Sequence, residues 1–204
     1  MKTAVLISGQ IRGFRHITKN LYSNFLNYFG DVDVFVYLSD DNTYKVEEFI
    51  TPTDITYTKD IIHNETGMND FQGHHLSTPQ KFMQQWYSLQ MCKELMLKQN
   101  KKYDFVVRTR PDNDFVETIT PKILDNQKIN ICSWGNYNGY NDRFAIGPYD
   151  EMITYCDFYN ECKIYPGNSE MKLKTYLINK NVEVNLINKI HYRINENGTR
   201  REHP

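Results

Sequence analysis

In the stretch YDFVVRTRPDNDF, residues 103–115, an apolar run ends in two arginines and two carboxylates. Charges at the mouth of a buried strand are costly to desolvate and call for partners. Asp112 and Asp114 stand two apart, so in extended backbone they point to one side, and Pro111 before them cannot continue sheet pairing. Carboxylates so close repel one another. A hard cation with oxygen ligands, Mg²⁺ or Mn²⁺, its shell completed by water and substrate phosphates, would relieve that repulsion. Asp-x-Asp alone is a short pattern, and Asp31-Val-Asp33 repeats it as a strand lead-in; the position at a strand end behind Arg108 and Arg110 singles out the later pair. Those arginines share one strand face, opposite Phe105, Val107 and Thr109. Their guanidinium forks suit either a diphosphate or the carboxylates nearby.

Two further polar stretches follow apolar runs. SGQIRGF, residues 8–14, offers Ser8, Gly9 and Gln10 as donors at a strand end, with Arg12 set for phosphate or sugar hydroxyls. It is neither a Gly-x-x-x-x-Gly-Lys phosphate loop nor a Gly-x-Gly-x-x-Gly dinucleotide turn. Tyr37, Ser39, Asp40 and Asp41 can stack on and hydrogen-bond a base and ribose, or form an Asp-rich turn.

These groups need a frame to hold them. TAVLISG, residues 3–9, is a continuous apolar run stopped by Gly9, the pattern of a strand buried on both faces. ITKNLYSNFLNYFG, residues 17–30, carries apolar side chains at helical intervals and closes on Gly30; DVDVFVYLSDD, residues 31–41, is a second strand. Strand, helix, strand makes a βαβ opening. DITYT, residues 54–58, reads as a short strand, and residues 63–78 as a long loop over a binding face. Ser77 or Thr78 caps a helix that runs through QKFMQQWYSLQMCKELMLKQN, and YDFVVRTRP is the next strand. QKINICSW and DRFAIGP follow as strands, residues 149–165 and 169–181 as helices, and VEVNLI and IHYRI as extended pieces. This alternation predicts a three-layer α/β/α sandwich around a central, mostly parallel mixed sheet, in which ligands sit beyond the carboxyl ends of the strands.

Length and composition narrow the classes. A chain of 204 residues without a composition shift is expected to be one domain, residues 1–204, and its polar end NENGTRREHP would also suit one domain of a longer polypeptide. Lys and Arg number 24 against 25 Asp and Glu, which offers no general attraction to nucleic acid or anionic membrane, so any basic site must be local. Fifteen Tyr and eleven Phe suit either aromatic-lined clefts or ordinary core packing. The four cysteines form no Cys-x-x-Cys or Cys/His metal spacing and read as reduced structural thiols. With no signal-like leader and no apolar run long enough for a bilayer, the expectation is a soluble, cytoplasmic protein without a transmembrane segment. The sequons at Asn64 and Asn197 carry no weight without a secretory route.

Four blocks, AVLISGQIRGF, QQWYSLQMCKEL, YDFVVRTRPDNDF and NDRFAIGPYDEM, occur in an order that resembles the GT-A glycosyltransferases. The similarity spans about residues 4–178 and is nearest to small bacterial and large-DNA-virus transferases that build surface glycans. It implies a GT-A fold, an enzyme moving a sugar from a nucleotide-diphosphate donor, a UDP-sugar favoured, to a glycan acceptor, and Mn²⁺ or Mg²⁺ on Asp112 and Asp114. By the same resemblance Ser8, Gly9, Gln10 and Arg12 touch the donor, Gln85 and Tyr87 face the sugar, and His191 supplies a late metal ligand. An inverting reaction needs a carboxylate to take the acceptor proton. Asp142 in GYNDRF is the first candidate and Glu170 in NSEMKL the second, although the one can simply pair with Arg143 and the other complement a helix N-terminus. Two rival readings are a sugar-nucleotide pyrophosphorylase, which would want a Gly- and Lys-rich loop after the first strand, and a catalytically silent carbohydrate-binding module.

Overall fold

The computed structural model of the chain describes residues 1–40, 44–68, 70–73 and 77–201. In chain order the elements are β1 (Lys2–Gln10), α1 (Phe14–Asn24), β2 (Asp31–Ser39), β3 (Asp54–Thr58), α2 (Pro79–Leu97), β4 (Phe105–Thr109), β5 (Asn113–Phe115), β6 (Ile129–Cys132), β7 (Phe144–Pro148), α3 (Tyr149–Cys156), α4 (Ser169–Asn179), β8 (Val184–Ile187) and β9 (His191–Arg193). Seven strands form one sheet in the order β3-β2-β1-β4-β7-β6-β8, and β5 pairs with β9 in a second, two-stranded sheet. In the large sheet β7 runs antiparallel to both neighbours while the remaining pairs are parallel. The molecule is therefore α/β with a mostly parallel mixed sheet flanked by helices, an arrangement compatible with the expected three-layer sandwich.

Alternation along the strands builds two cores. From β1, Ala4 and Leu6 join Phe82, Trp86 and Leu89 of α2, Met152 and Tyr155 of α3, and Leu173 and Leu177 of α4. Val5 and Ile7 point the other way, into Phe14, Ile17 and Leu21 of α1 together with Phe115 and Ile194. A strand covered on both faces has to read as a continuous apolar run, which is why β1 is plain in the sequence.

Helix ends depart from the periodicity. The helix expected over 17–30 starts at Phe14 and stops at Asn24, where the Asn24 amide donates to the Phe115 carbonyl at 2.7 Å and the Asn24 carbonyl accepts from Ile119 N–H at 2.8 Å. Phe25 and Phe29 then pack on one another at 4.7 Å, and Phe25 stacks on Phe115 at 5.3 Å. The helix expected over 149–165 gives way after Cys156 to a 3-10 turn, Asp157–Asn160. There Asp157 accepts from Lys93 Nζ at 2.6 Å and Phe158 meets the Trp86 ring edge-on at 4.6 Å, so tertiary anchoring ends the regular helix. Thr78 caps α2, accepting from Lys81 N–H at 3.3 Å, with Pro79 in the first turn. All four cysteines are buried and free. Among the described residues no helix is long and apolar enough to cross a membrane.

Strand order reverses between β1 and β4, since β2 and β3 lie to one side and β7, β6 and β8 to the other. A crevice opens beyond the carboxyl ends of strands at such a switch point. Because β7 is reversed, its leading residues Asp142 and Arg143 reach the same edge.

Candidate functional site

At that edge lies a cavity of about 1050 Å³. Its described lining includes Ser8, Gly9 and Gln10 from the exit of β1, Ser39 from β2, Gln85 from α2, and Phe71, Gln72, Gly73 and Ser77 from the loop expected to cover a binding face. Gly9 takes φ +125°, a conformation open to glycine and strained for other residues. Among the described lining residues seven are cationic, Arg12, Lys81, Arg110, Arg143, Arg193, Arg200 and Arg201, and three acidic, Asp60, Asp142 and Glu170.

Behind this wall Asp112 gathers three of the arginines. Its side chain is 1 % exposed. Arg110 donates to both carboxylate oxygens, Nε to Oδ1 at 2.8 Å and Nη2 to Oδ2 at 3.1 Å. Arg12 Nη1 reaches Oδ2 at 3.1 Å, and Arg193 reaches it through Nη2 at 3.2 Å and Nε at 3.3 Å. Burial raises this carboxyl, but Arg110 and Arg193 outweigh it and hold the group well below the usual carboxylate range. Conversely, burial and the like charge of Arg110 bring Arg193 down to about 9. Asp114 faces the same way, accepting from Asn20 Nδ2 at 2.6 Å and from Arg200 Nη2 at 3.3 Å. Between the two aspartates, Asn113 turns inward, donating to Thr109 Oγ1 and the Arg143 carbonyl.

A metal ion on Asp112, Asp114 and His191 does not fit this arrangement. The repulsion between the aspartates is already relieved by guanidinium groups, which would in turn repel a divalent cation. His191 is fully buried, tilted against Trp134, Phe115 and Phe144, with Nδ1 at 3.6 Å from Cys132 Sγ. Burial, reinforced by Arg143, pushes its imidazole down to about 3. Among the described residues no group of three His, Cys, Asp or Glu side chains is placed to hold a metal.

A second pair of carboxylates, Asp142 and Glu170, lines the same cavity. Asp142 Oδ2 accepts from Gln85 Nε2 at 2.8 Å and from Ser169 Oγ at 2.6 Å, and Trp86 Nε1 donates to that Ser169 oxygen at 3.3 Å. Gln85 accepts in turn from Arg110 Nη1 at 2.7 Å, so one chain of hydrogen bonds joins the Asp112 cluster to Asp142. Burial pushes Asp142 up, yet Arg143, Arg108 and the Ser169 hydrogen bond bring it below its ordinary value. Glu170 goes the other way. Burial, then the charge of Asp142, raises it to about 8, and Arg143 Nη2 stands 3.9 Å from its Oε1. Its backbone is held by Tyr140 N–H, which donates to the Glu170 carbonyl at 3.0 Å; that approach needs Gly139, where a Cβ would fall 1.9 Å from the same carbonyl group. Two buried polar atoms of cavity-lining residues, Ser8 Oγ and Arg143 Nη1, have no hydrogen-bond partner among the described residues.

Other expected donor contacts lie elsewhere. Tyr37 meets Tyr87 edge-on at 6.4 Å, Tyr87 packs against His63 and Tyr159, and Asp40 pairs with Lys45 at 3.4 Å; none of Tyr37, Tyr87 or Asp40 is in the described lining. Asp41 lies outside the described residues. Arg108 is fully buried in the sheet, its guanidinium 5.9 Å from the Trp86 ring and without a hydrogen-bond partner among the described residues. Its charge helps to bring Asp142 down. An unsatisfied buried cation is expensive, so Arg108→Met is expected to raise stability by about 1–3 kcal/mol, read as a melting rise of roughly 2–4 °C per kcal/mol. An unchanged or lowered melting temperature would show the guanidinium to be satisfied.

The sequence reading missed Arg193, Arg200 and Arg201. The signal was Asn197-Gly198, a strong hairpin pair between extended segments, weighed only as a glycosylation sequon. Gly198 takes φ +82° and Ile194 bridges Arg200, folding the three arginines back over the site.

Fold and cavity together define an α/β protein with a cationic cleft at the carboxyl edge of its sheet. The chain belongs to the family described as Domain of unknown function (DUF7796), whose model matches residues 1–185. No curated protein matches it.

Proposed function

We propose that the protein is a glycosyltransferase that moves a sugar from a nucleotide-diphosphate donor, a UDP-sugar favoured, to a glycan acceptor. One observation carries the reading: a cavity whose described lining holds seven cationic side chains also holds a buried pair of carboxylates, Asp142 and Glu170. Its volume of about 1050 Å³ suits a large ligand. The GT-A resemblance and a sheet that opens its crevice at the β1/β4 switch point support the same reading.

The chemistry divides between the guanidinium groups and the carboxylates. Guanidinium groups take up the charge that develops on the departing diphosphate. In an inverting displacement Glu170, ionised, accepts the acceptor hydroxyl proton while that oxygen bonds to the anomeric carbon and the bond from this carbon to the diphosphate oxygen breaks. Asp142 is fixed by Gln85 and Ser169 and stays charged, which keeps Glu170 basic. The order of candidates is thus Glu170 before Asp142.

The test is release of nucleoside diphosphate from a panel of UDP-, GDP- and dTDP-sugars, with and without a mixture of oligosaccharide acceptors. Release of UDP from at least one UDP-sugar, accelerated by acceptor, is expected. Binding without turnover across the panel would point instead to a silent module, and nucleoside triphosphate formed from donor and pyrophosphate to a nucleotidyltransferase.

A further inference from the structure

We infer that the cleft binds the diphosphate of its donor through arginine side chains and needs no divalent cation. The inference rests on the nucleotide-sugar reading above and concerns the neighbourhood of Asp112, where a resemblance to GT-A enzymes alone would put a metal. Both Asp112 oxygens are engaged at 2.8–3.3 Å by Arg12, Arg110 and Arg193. Asp114 is engaged by Asn20 and Arg200. A divalent ion brought to Asp112 would have to displace guanidinium groups that are themselves buried or half-buried, and one brought to Asp114 would have to displace Asn20 or the more exposed Arg200.

Those same arginines have donors to spare. A guanidinium carries five N–H bonds in a fixed fork, and Arg12, Arg193 and Arg200 each line the cavity while spending only part of that set on an aspartate. The described lining carries six arginines, Arg12, Arg110, Arg143, Arg193, Arg200 and Arg201, so the face offered to a ligand is rich in guanidinium donors. A diphosphate supplies the matching anion. Ser8, 2 % exposed, and Arg143 both line the cavity, and Ser8 Oγ and Arg143 Nη1 have no hydrogen-bond partner among the described residues, so lining residues hold unused hydrogen-bonding groups as well as charge. Asp112 then works as an organiser. It holds three mutually repelling arginines in one place, as a metal ion gathers carboxylates elsewhere, with the signs reversed.

Calorimetric titration of the whole chain with inorganic pyrophosphate and with UDP, once in EDTA and once with Mn²⁺ after metal stripping, tests this. Both ligands are expected to bind in EDTA, with dissociation constants within about threefold of those in Mn²⁺. Arg193→Gln should weaken both at least tenfold. Because Arg193 also touches Asp112, Arg201→Gln is the companion variant: its Nε donates to Asn195 Oδ1 at 2.8 Å, away from the aspartates, and it too should weaken both ligands severalfold with an unchanged melting temperature. Binding seen only with Mn²⁺, tightening of tenfold or more by Mn²⁺, or no pyrophosphate binding in either buffer would overturn the inference. Pyrophosphate binding in EDTA by a protein that turns over no nucleotide sugar would keep it and remove the transferase reading.

Discussion

Asp112→Asn is expected to lower the stability of the folded protein by about 3–5 kcal/mol, the cost of leaving buried charges without their counter-ion. Arg12, Arg110 and Arg193 converge on that one carboxylate, and an amide removes the charge that holds them together. For a domain of this size the melting temperature should fall by roughly 6–20 °C. The pH dependence follows from the direction of the shift. Asp112 lies well below its ordinary 3.8 in the folded state, so its contribution is present above about pH 4 and fades as acid protonates the native carboxyl. Urea unfolding between pH 2 and 7 should show a steeper acid loss in the parent than in the Asn variant. A variant within 1 kcal/mol of the parent at pH 7 would mean that the arginines hold themselves apart without Asp112, and the cluster would lose its organising role.

Glu170→Gln should cut turnover by about 10²–10⁴-fold, the usual contribution of a positioned general base. With Glu170 raised to about 8, kcat/KM of the parent should climb with pH and level off above that value. Asp142→Asn removes the carboxylate whose charge helps raise Glu170, so the midpoint of the climb should move to lower pH. Stability should run the opposite way to activity. Glu170 ionises near 4.5 in the unfolded chain and near 8 in the folded one, so the folded state binds the proton more tightly and stability declines as pH rises between them. The slope is at most about 1.4 kcal/mol per pH unit for one group, and it should flatten in Glu170→Gln. Equal slopes in the two proteins, or a variant with full turnover, would remove Glu170 from the role of base.

Much of the scaffold was legible because buried parallel strands must be apolar along their whole length. β1, β2 and β4 announce themselves, as does the Thr78–Pro79 start of α2. Periodicity could not find the ends of α1 and α3, where Asn24 and Asp157 exchange the regular helix for bonds to distant segments. Within the site, Arg12, Gln85, Arg110, Asp112, Asp142 and Glu170 were named from the sequence, and the structure brings them into one network or onto one cavity wall. Their partners were not legible. Asp-x-Asp reads the same whether a metal or an arginine answers it, and the answering Arg193 lies 81 positions away on β9. Arg108 shows the converse: strand alternation gives it the same face as Arg110, but one residue remains inside the sheet and the other emerges beyond it.

The β5–β9 ribbon and the turn after it set the order in which the molecule becomes competent during synthesis. In chain order all seven strands of the large sheet precede Arg193, Arg200 and Arg201. An emerging chain can therefore hold every strand of the large sheet while Ile194 is still missing from the second core and Asp112 still lacks one of its cations. The cationic cleft is thus the last part of the molecule to be assembled.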